Sequence, residues 1–237
     1  MPTVISESST ALVLNKPAGL ITHSDGRTVE PSLSEWIAEK YPEMALIGEV
    51  WLSPQKESVR LCGLVHRLDR TTSGVVLAAK TQQVYDYLKA EFKARRVEKK
   101  YRAVVHGHIA QERGRIVLRI ERTNTVPKRW EAVPCDESHI RAACTEYTVL
   151  ARGTTPKEEE YSYVELSPKT GRTHQIRVHM ASIGHPLVGD HLYAADRETI
   201  LGFNRPALHA YLISFVGMDK IIQTFIAPLP DDFAPVL

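Results

Sequence analysis

The sequence predicts an α+β fold with a mixed, largely antiparallel sheet. Two observations predict it: short β-branched runs outnumber helical stretches, and the two kinds of segment rarely alternate along the chain. A doubly wound fold would require regular alternation. A length of 237 residues is ample for a buried core, and 1–237 reads as one domain, with no internal repeat and no low-complexity tract.

Taken in order, residues 10–15 read as a strand entering the turn Lys16-Pro17-Ala18-Gly19. Ser32 and Glu35 form a capping-box pair opening a helix that carries Trp36, Ile37 and Tyr41 and stops before Pro42. Residues 43–60 show no period and are assigned mostly to loop. The apolar runs 61–65 and 75–79 read as two antiparallel strands, joined by the polar loop 66–74. Thr81 is placed to cap a helix whose Val84, Leu88 and Phe92, with Tyr85 beside them, make one apolar stripe. Residues 99–107 alternate, with Tyr101, Ala103 and Val105 on one face and Lys100, Arg102 and Val104 on the other, which is a strand. Further strands follow at 115–120, 144–150 and 161–166, separated by polar turn-rich segments at 124–137 and 154–159. Thr173 is a candidate cap for a helix over 174–183, ended by Gly184-His185-Pro186. The late runs 208–215 and 221–226 suggest a hairpin about Gly217-Met218-Asp219.

Hydrophobic content of 43% and charged content of 24% are ordinary for a soluble globular chain, and a formal charge of +2 announces no polyanion by itself. The distribution says more. Lys89, Lys93, Arg95, Arg96, Lys99, Lys100 and Arg102 stand against only Glu91 and Glu98, a local positive surplus that serves either as a solvated face or as a phosphate-binding surface. Cys62, Cys135 and Cys144 are an odd number without C-x-x-C spacing, so reduced thiols are expected, with neither a disulfide framework nor a zinc site. His174 and His179 are five apart, not the four of a helical zinc pair, and no metal is expected; His66, His106, His108 and His185 are read as structural. Residues 1–10 lack a signal-peptide pattern and no run approaches about 18 apolar residues. A cytoplasmic protein without a membrane partner is the expectation.

The loop 66–74 holds one carboxylate, Asp69, closely flanked by Arg67 and Arg70. Two cations beside an acid favour its ionised form, and an ionised, well-placed carboxylate can act as nucleophile or base. An exposed ion-pair turn is the plainer account of such a triplet.

His66-Arg67-Leu68-Asp69 followed by Thr72-Ser73-Gly74 resembles the catalytic loop of the RluA-type RNA pseudouridine synthases. Asn15-Lys16-Pro17-Ala18-Gly19, Lys100-Tyr101-Arg102-Ala103, the stretch from Gly171 to His179, Gly189-Asp190 with Tyr193, and Leu208-His209-Ala210 resemble further motifs of that family, in collinear order. The resemblance implies the pseudouridine synthase fold, a sheet bent around a central active-site cleft. It implies isomerisation of uridines in tRNA, rRNA or both, through a flipped-out base and with no cofactor. Asp69 is then the nucleophile, Tyr101 the active-site phenol that stacks on uracil, and Arg177 the cation that pairs with the catalytic acid. Arg67 fills the place of the extruded nucleotide, Leu208 walls the uracil, and Arg172, Lys16 and the 93–100 cluster are phosphate contacts. Many relatives carry an S4 RNA-binding domain before the Lys-Pro motif; here that motif begins at Asn15, so a short form without it, acting as a monomer, is expected. Two other classes stay open. One is a catalytically silent RNA-binding protein on the same fold. The other is a glycoside or nucleoside hydrolase, which ordinarily needs a second carboxylate that no matched motif supplies.

Overall fold

The computed structural model describes residues 1–24, 30–52, 58–123, 129–135 and 142–236, the side chains at 51 and 52 excepted. In chain order the elements are β1 (Thr3–Glu7), β2 (Ala11–Lys16), α1 (Leu33–Lys40), β3 (Val50–Leu52), β4 (Ser58–Arg60), β5 (Ser73–Ala79), α2 (Gln82–Lys93), β6 (Glu98–His106), β7 (Arg113–Arg122), β8 (Trp130–Val133), β9 (Ala143–Thr154), β10 (Glu160–Pro168), α3 (Gln175–Ser182), β11 (Leu208–Val216) and β12 (Ile222–Ile226). The fold is α+β and its strand pairs are largely antiparallel, as the pattern of short strands predicts. Among the described residues no helix is long and apolar enough to cross a membrane.

The chain forms two compact units, Met1–Glu98 with Ala210–Pro228, and Lys99–His209 with Leu229–Leu237. In the first, β2 lies between β1 and β5, with Leu12 opposite Ala78 and Leu14 opposite Val76. All seven residues of β5 are buried, which is why 75–79 is a continuous apolar run rather than an alternating one. The helix α1 opens on a complete capping box: Glu35 N–H donates to Ser32 Oγ (3.2 Å) and Ser32 N–H to Glu35 Oε2 (2.8 Å). Such a cap is worth about 1 kcal/mol. Thr81 caps α2 through Val84 N–H at 3.2 Å, and Tyr85 and Leu88 bury the inner stripe of that helix, Leu88 contributing roughly 1.5–3 kcal/mol of transfer free energy.

The stretch 43–60, expected to be mostly loop, also holds the end of a 3-10 turn over Pro42–Met44 and the short paired strands β3 and β4, with 53–57 outside the described residues. Three-residue strands are too short to show a period. The run 61–65 is not a strand and touches β5 through a single bridge, Leu64 to Ala78. Cys62 (φ 49°) and Gly63 (φ 78°) take left-handed backbone, which ends any extended run. A Cβ on Gly63 would stand 2.1 Å from the Ala79 carbonyl oxygen, so the position demands glycine.

The second unit orders its strands β6, β10, β9, β7, β8, each pair antiparallel. The alternation of β6 is realised: Ala103 and Val105 enter a core with Val149, Val164, Leu166, Ile176 and Leu208, while Val104 on the other face packs with Ile200, Phe203 and Phe233. The helix α3 begins one residue later than the pattern suggests. His174 is its first flanking residue, left-handed at φ 54°, with no side-chain cap, so the expected cap at Thr173 is not made. Of the segment 124–137 expected to be turn-rich, residues 124–128 and 136–137 lie outside the described residues, while 130–133 form β8.

Candidate active site

In the first unit, the loop 66–74 is anchored at both flanks of Asp69. The imidazole of His66 stacks on Phe92, with centroids 4.9 Å apart, and its Nε2 accepts the Leu77 N–H at 3.0 Å, tying the start of the loop to β5. Leu68 is buried, and Thr22 Oγ1 serves both its backbone groups, donating to the carbonyl at 2.8 Å and accepting the N–H at 3.1 Å. On the other side, the Arg70 carbonyl accepts from Gly19 N–H (2.8 Å) and from the Lys16 ammonium (3.3 Å). The Asp69 carbonyl accepts the Thr72 N–H at 3.1 Å, closing a tight turn. Downstream, Gly74 (φ 118°) lies so close to β11 that a Cβ would stand 2.2 Å from the Ala210 carbonyl oxygen, which accounts for glycine in the motif.

These bonds hold the peptide of Asp69 and leave its side chain alone. Asp69 is half-buried, and among the described residues its carboxylate has no hydrogen-bond or ion-pair partner. A fixed backbone under an uncommitted carboxylate suits a nucleophile, whose geometry is set before substrate arrives and whose lone pairs are not occupied.

Two expectations about the neighbouring cations are corrected. Arg70 does not turn to Asp69. Its Nε donates to the Gly19 carbonyl at 3.3 Å, in the turn at residues 16–19, and its Nη2 pairs with Glu30. Lys16 is not placed for phosphate. It is wholly buried, and its ammonium donates to the carbonyls of Leu20 (2.7 Å), Pro17 (2.9 Å) and Arg70. A buried charge is tolerable only when its donors are used, and here three carbonyl dipoles use them. Lys16 is therefore a brace behind the loop. Arg67 is exposed.

In the second unit, Tyr101 stands on β6 opposite Leu166 of β10, partly buried against the core that also holds Leu208. Arg177, on α3, is buried with a partner the sequence reading did not assign. Its Nε and Nη2 donate to Asp190 Oδ2 and Oδ1, both at 2.7 Å, a bidentate pair in which Nη1 takes no part. Asp190 Oδ1 also accepts from Leu192 N–H (3.1 Å) and Tyr193 N–H (3.3 Å). The Arg177 guanidinium lies 5.0 Å from the Tyr193 ring centroid, and the Tyr193 hydroxyl meets His174 Nδ1 (3.0 Å) and the Trp130 N–H (3.2 Å). Gly189-Asp190 with Tyr193 was the only signal for this cluster, and a motif match alone gives no pairing.

Gln175 fastens the start of α3. Its Oε1 accepts from Thr170 Oγ1 (2.6 Å) and from the N–H of exposed Arg172 (3.0 Å), and its Nε2 donates to the Cys144 carbonyl and Thr145 Oγ1. Thr145 Oγ1 also meets His179 Nδ1 at 2.9 Å. Burial pushes the His179 pKa down to about 4, so the ring is neutral at neutral pH.

Comparison with known proteins matches these features to a family. The family model for RNA pseudouridylate synthase matches residues 10–182. Ribosomal large subunit pseudouridine synthase D of Neisseria meningitidis (strain Z2491) is 34% identical over 244 residues, covering 99% of this chain and 60% of the relative. The uncharacterized RNA pseudouridine synthase YhcT of Bacillus subtilis is 36% identical, covering 97% and 69%. The chain thus spans roughly two thirds or less of the length of such relatives. Among solved structures, human RNA pseudouridylate synthase domain containing 1 superposes with a TM-score of 0.70 at 27% identity, covering 100% of this chain and 86% of that one. With its motifs in collinear order and its family match over more than half its length, the chain belongs to the RNA pseudouridine synthases of the RluA type, a family of isomerases acting on RNA.

Proposed function

We propose that this chain isomerises uridines in structured RNA to pseudouridine, with Asp69 as nucleophile and residues 1–237 working as one catalytic domain. The isomerisation breaks the bond from uracil N1 to ribose C1′ and makes one from C5 to the same carbon. Overall, C5 loses a proton and N1 gains one, and no electrons are exchanged, so the chemistry itself calls for no redox cofactor. Asp69 attacks C1′ or removes the C2′ proton of a flipped nucleotide. Tyr101 stacks on the ring and stands near C5, where a phenol can move a proton. Leu208 walls the uracil. Arg177, held by Asp190, supplies a permanent charge and a planar fork, which Lys would not reproduce. Arg67 occupies the gap left by the flipped base, offsetting part of an extrusion that costs a few kcal/mol. Arg172 and the 93–100 cluster are left as the phosphate contacts.

One observation carries this reading: Asp69 has its backbone pinned through Leu68 and Arg70 while its carboxylate has no partner among the described residues. A structural aspartate shows the reverse, with its oxygens engaged. Relatives named for large-subunit rRNA make that RNA the first to try, with tRNA second. The test is to incubate the protein with large-subunit rRNA and bulk tRNA transcripts lacking pseudouridine, in the cytoplasmic pH range, and to map new pseudouridines. Asp69→Asn is expected to keep its fold and lose at least about a thousandfold in turnover. Parental turnover in that variant would end the nucleophile assignment, and a parent that binds RNA without turnover would favour a silent binder.

A further inference from the structure

The basic stretch from Lys89 to Arg102 divides by partner. Lys89 pairs with Glu49 at 3.7 Å and Arg96 with Glu91, and both Lys100 and Arg102 lie against Glu165, at 3.2 and 3.0 Å. Lys93 and Arg95 are exposed, where water does the work of a counter-ion. Lys99 fits neither group. It is only partly exposed, and among the described residues no carboxylate, carbonyl or hydroxyl meets its ammonium.

Its place on β6 is informative. Side chains alternate across a strand, so Lys99 shares the face of Tyr101, Ala103 and Val105, and Lys100 and Arg102, with their common Glu165, take the opposite one. Residues two apart on a strand are about 6.7 Å apart, so Lys99 is the neighbour of Tyr101 on that face. Burial pushes Lys99 below the ordinary lysine range, so the folded chain carries a poorly solvated cation that no anionic group among the described residues answers. Cations held at such a cost cluster at functional sites. An exposed lysine gains little from meeting an anion, since water already solvates it; a half-desolvated one gains more, because part of the desolvation has been met in folding.

We propose that Lys99 is an RNA-contact residue, its ammonium held for a phosphodiester oxygen of the chain next to the nucleotide on Tyr101. The inference rests on the functional reading above and narrows it: of the basic stretch, Lys99 is the cation whose counter-charge arrives with the substrate.

The test compares Lys99→Met, which keeps the stem and removes the charge, with Lys99→Arg, which keeps the charge. Binding of large-subunit rRNA transcript and bulk tRNA is measured across a salt series, thermal melting alongside, and pseudouridine formation on the same RNAs. Lys99→Met should melt higher than the parent, bind either RNA about tenfold more weakly at low salt, and lose about 0.7–0.9 from the slope of log affinity against log salt, the share of one phosphate. Lys99→Arg should retain most of the slope, and in turnover the loss in Lys99→Met should fall on KM. A Lys99→Met protein with parental affinity and slope overturns the inference. So does one that melts lower and loses affinity together with Lys99→Arg, since that is a structural role. If the parent binds but modifies no uridine, the enzymatic reading fails on these RNAs while the salt slope still decides Lys99. No measurable affinity of the parent for either RNA overturns both.

Discussion

Thr22 and Leu68 are 46 residues apart in sequence, and one hydroxyl of the first closes both hydrogen bonds of the second, at 2.8 Å to its carbonyl and 3.1 Å from its N–H. That hydroxyl fixes the peptide immediately before Asp69. Leu68 is buried, so either group left open would lie unsatisfied away from water, at about 1–3 kcal/mol each.

Thr22→Val keeps the shape of the side chain and removes the oxygen. It is expected to cost about 2–4 kcal/mol of stability and, because misplacing a reacting group by an ångström costs orders of magnitude in rate, at least tenfold in kcat. RNA affinity should hold, since Thr22 is buried. Thr22→Ser should recover most of both. Steady-state turnover and urea unfolding of the two variants decide the matter, and parental kcat in Thr22→Val would show that Lys16 and Gly19 hold the loop unaided.

Nothing in the sequence points to Thr22, and the reason is general. Local signals survive in sequence because the residues that make them are neighbours: the Ser32–Glu35 capping box, the Thr81 cap and the alternation from Lys99 to Val105 all appear in the structure where the pattern placed them. The paired strands β11 and β12, with their turn about Gly217, are of the same kind. Partnerships across tens of residues leave no such trace. Lys16 beside Pro17 reads as a surface cation of a turn, and only the fold reveals that three carbonyls converge on it. Arg70 reads as a neighbour of Asp69, yet Glu30 takes it. The run 61–65 has the composition of a strand and is denied that form by two left-handed residues. The motifs mark the segments that match a family, and long-range hydrogen bonds show which of their residues hold others still.

The Arg177–Asp190 pair gives a second prediction. Asp190→Asn preserves volume but sets an amide against a buried guanidinium, and leaving one member of a buried ion pair unanswered costs about 3–5 kcal/mol. At roughly 2–4 °C per kcal/mol for a chain of this size, melting should fall by about 6–20 °C. Arg177→Met should cost comparably, and the double variant should cost less than the sum, with a coupling of about 0.5–3 kcal/mol. Strict additivity in that cycle would mean that the two side chains do not support one another.

His179 ties stability to pH. Its folded pKa is about 4 against an ordinary value of 6.5, because burial penalises the imidazolium. Above pH 6.5 the ring is neutral in both folded and unfolded chains and contributes no slope. As pH falls from 6.5 toward 4, the unfolded chain binds a proton that the folded chain refuses, and stability falls with pH. At about 1.4 kcal/mol per pH unit, the loss attributable to this ring approaches about 3 kcal/mol near pH 4. The ring is fully buried and its Nδ1 meets Thr145 Oγ1, so the shift belongs to the packed interior of the second unit and not to a screened surface charge. His179→Gln retains a polar group for Thr145 and cannot titrate. Chemical denaturation at pH 7 and pH 4.5 should therefore show a smaller acid loss in the variant than in the parent, by about 2 kcal/mol or more, while groups that titrate in both proteins cancel. Equal losses in the two would place the proton uptake elsewhere and remove His179 as the acid-sensitive point of this fold.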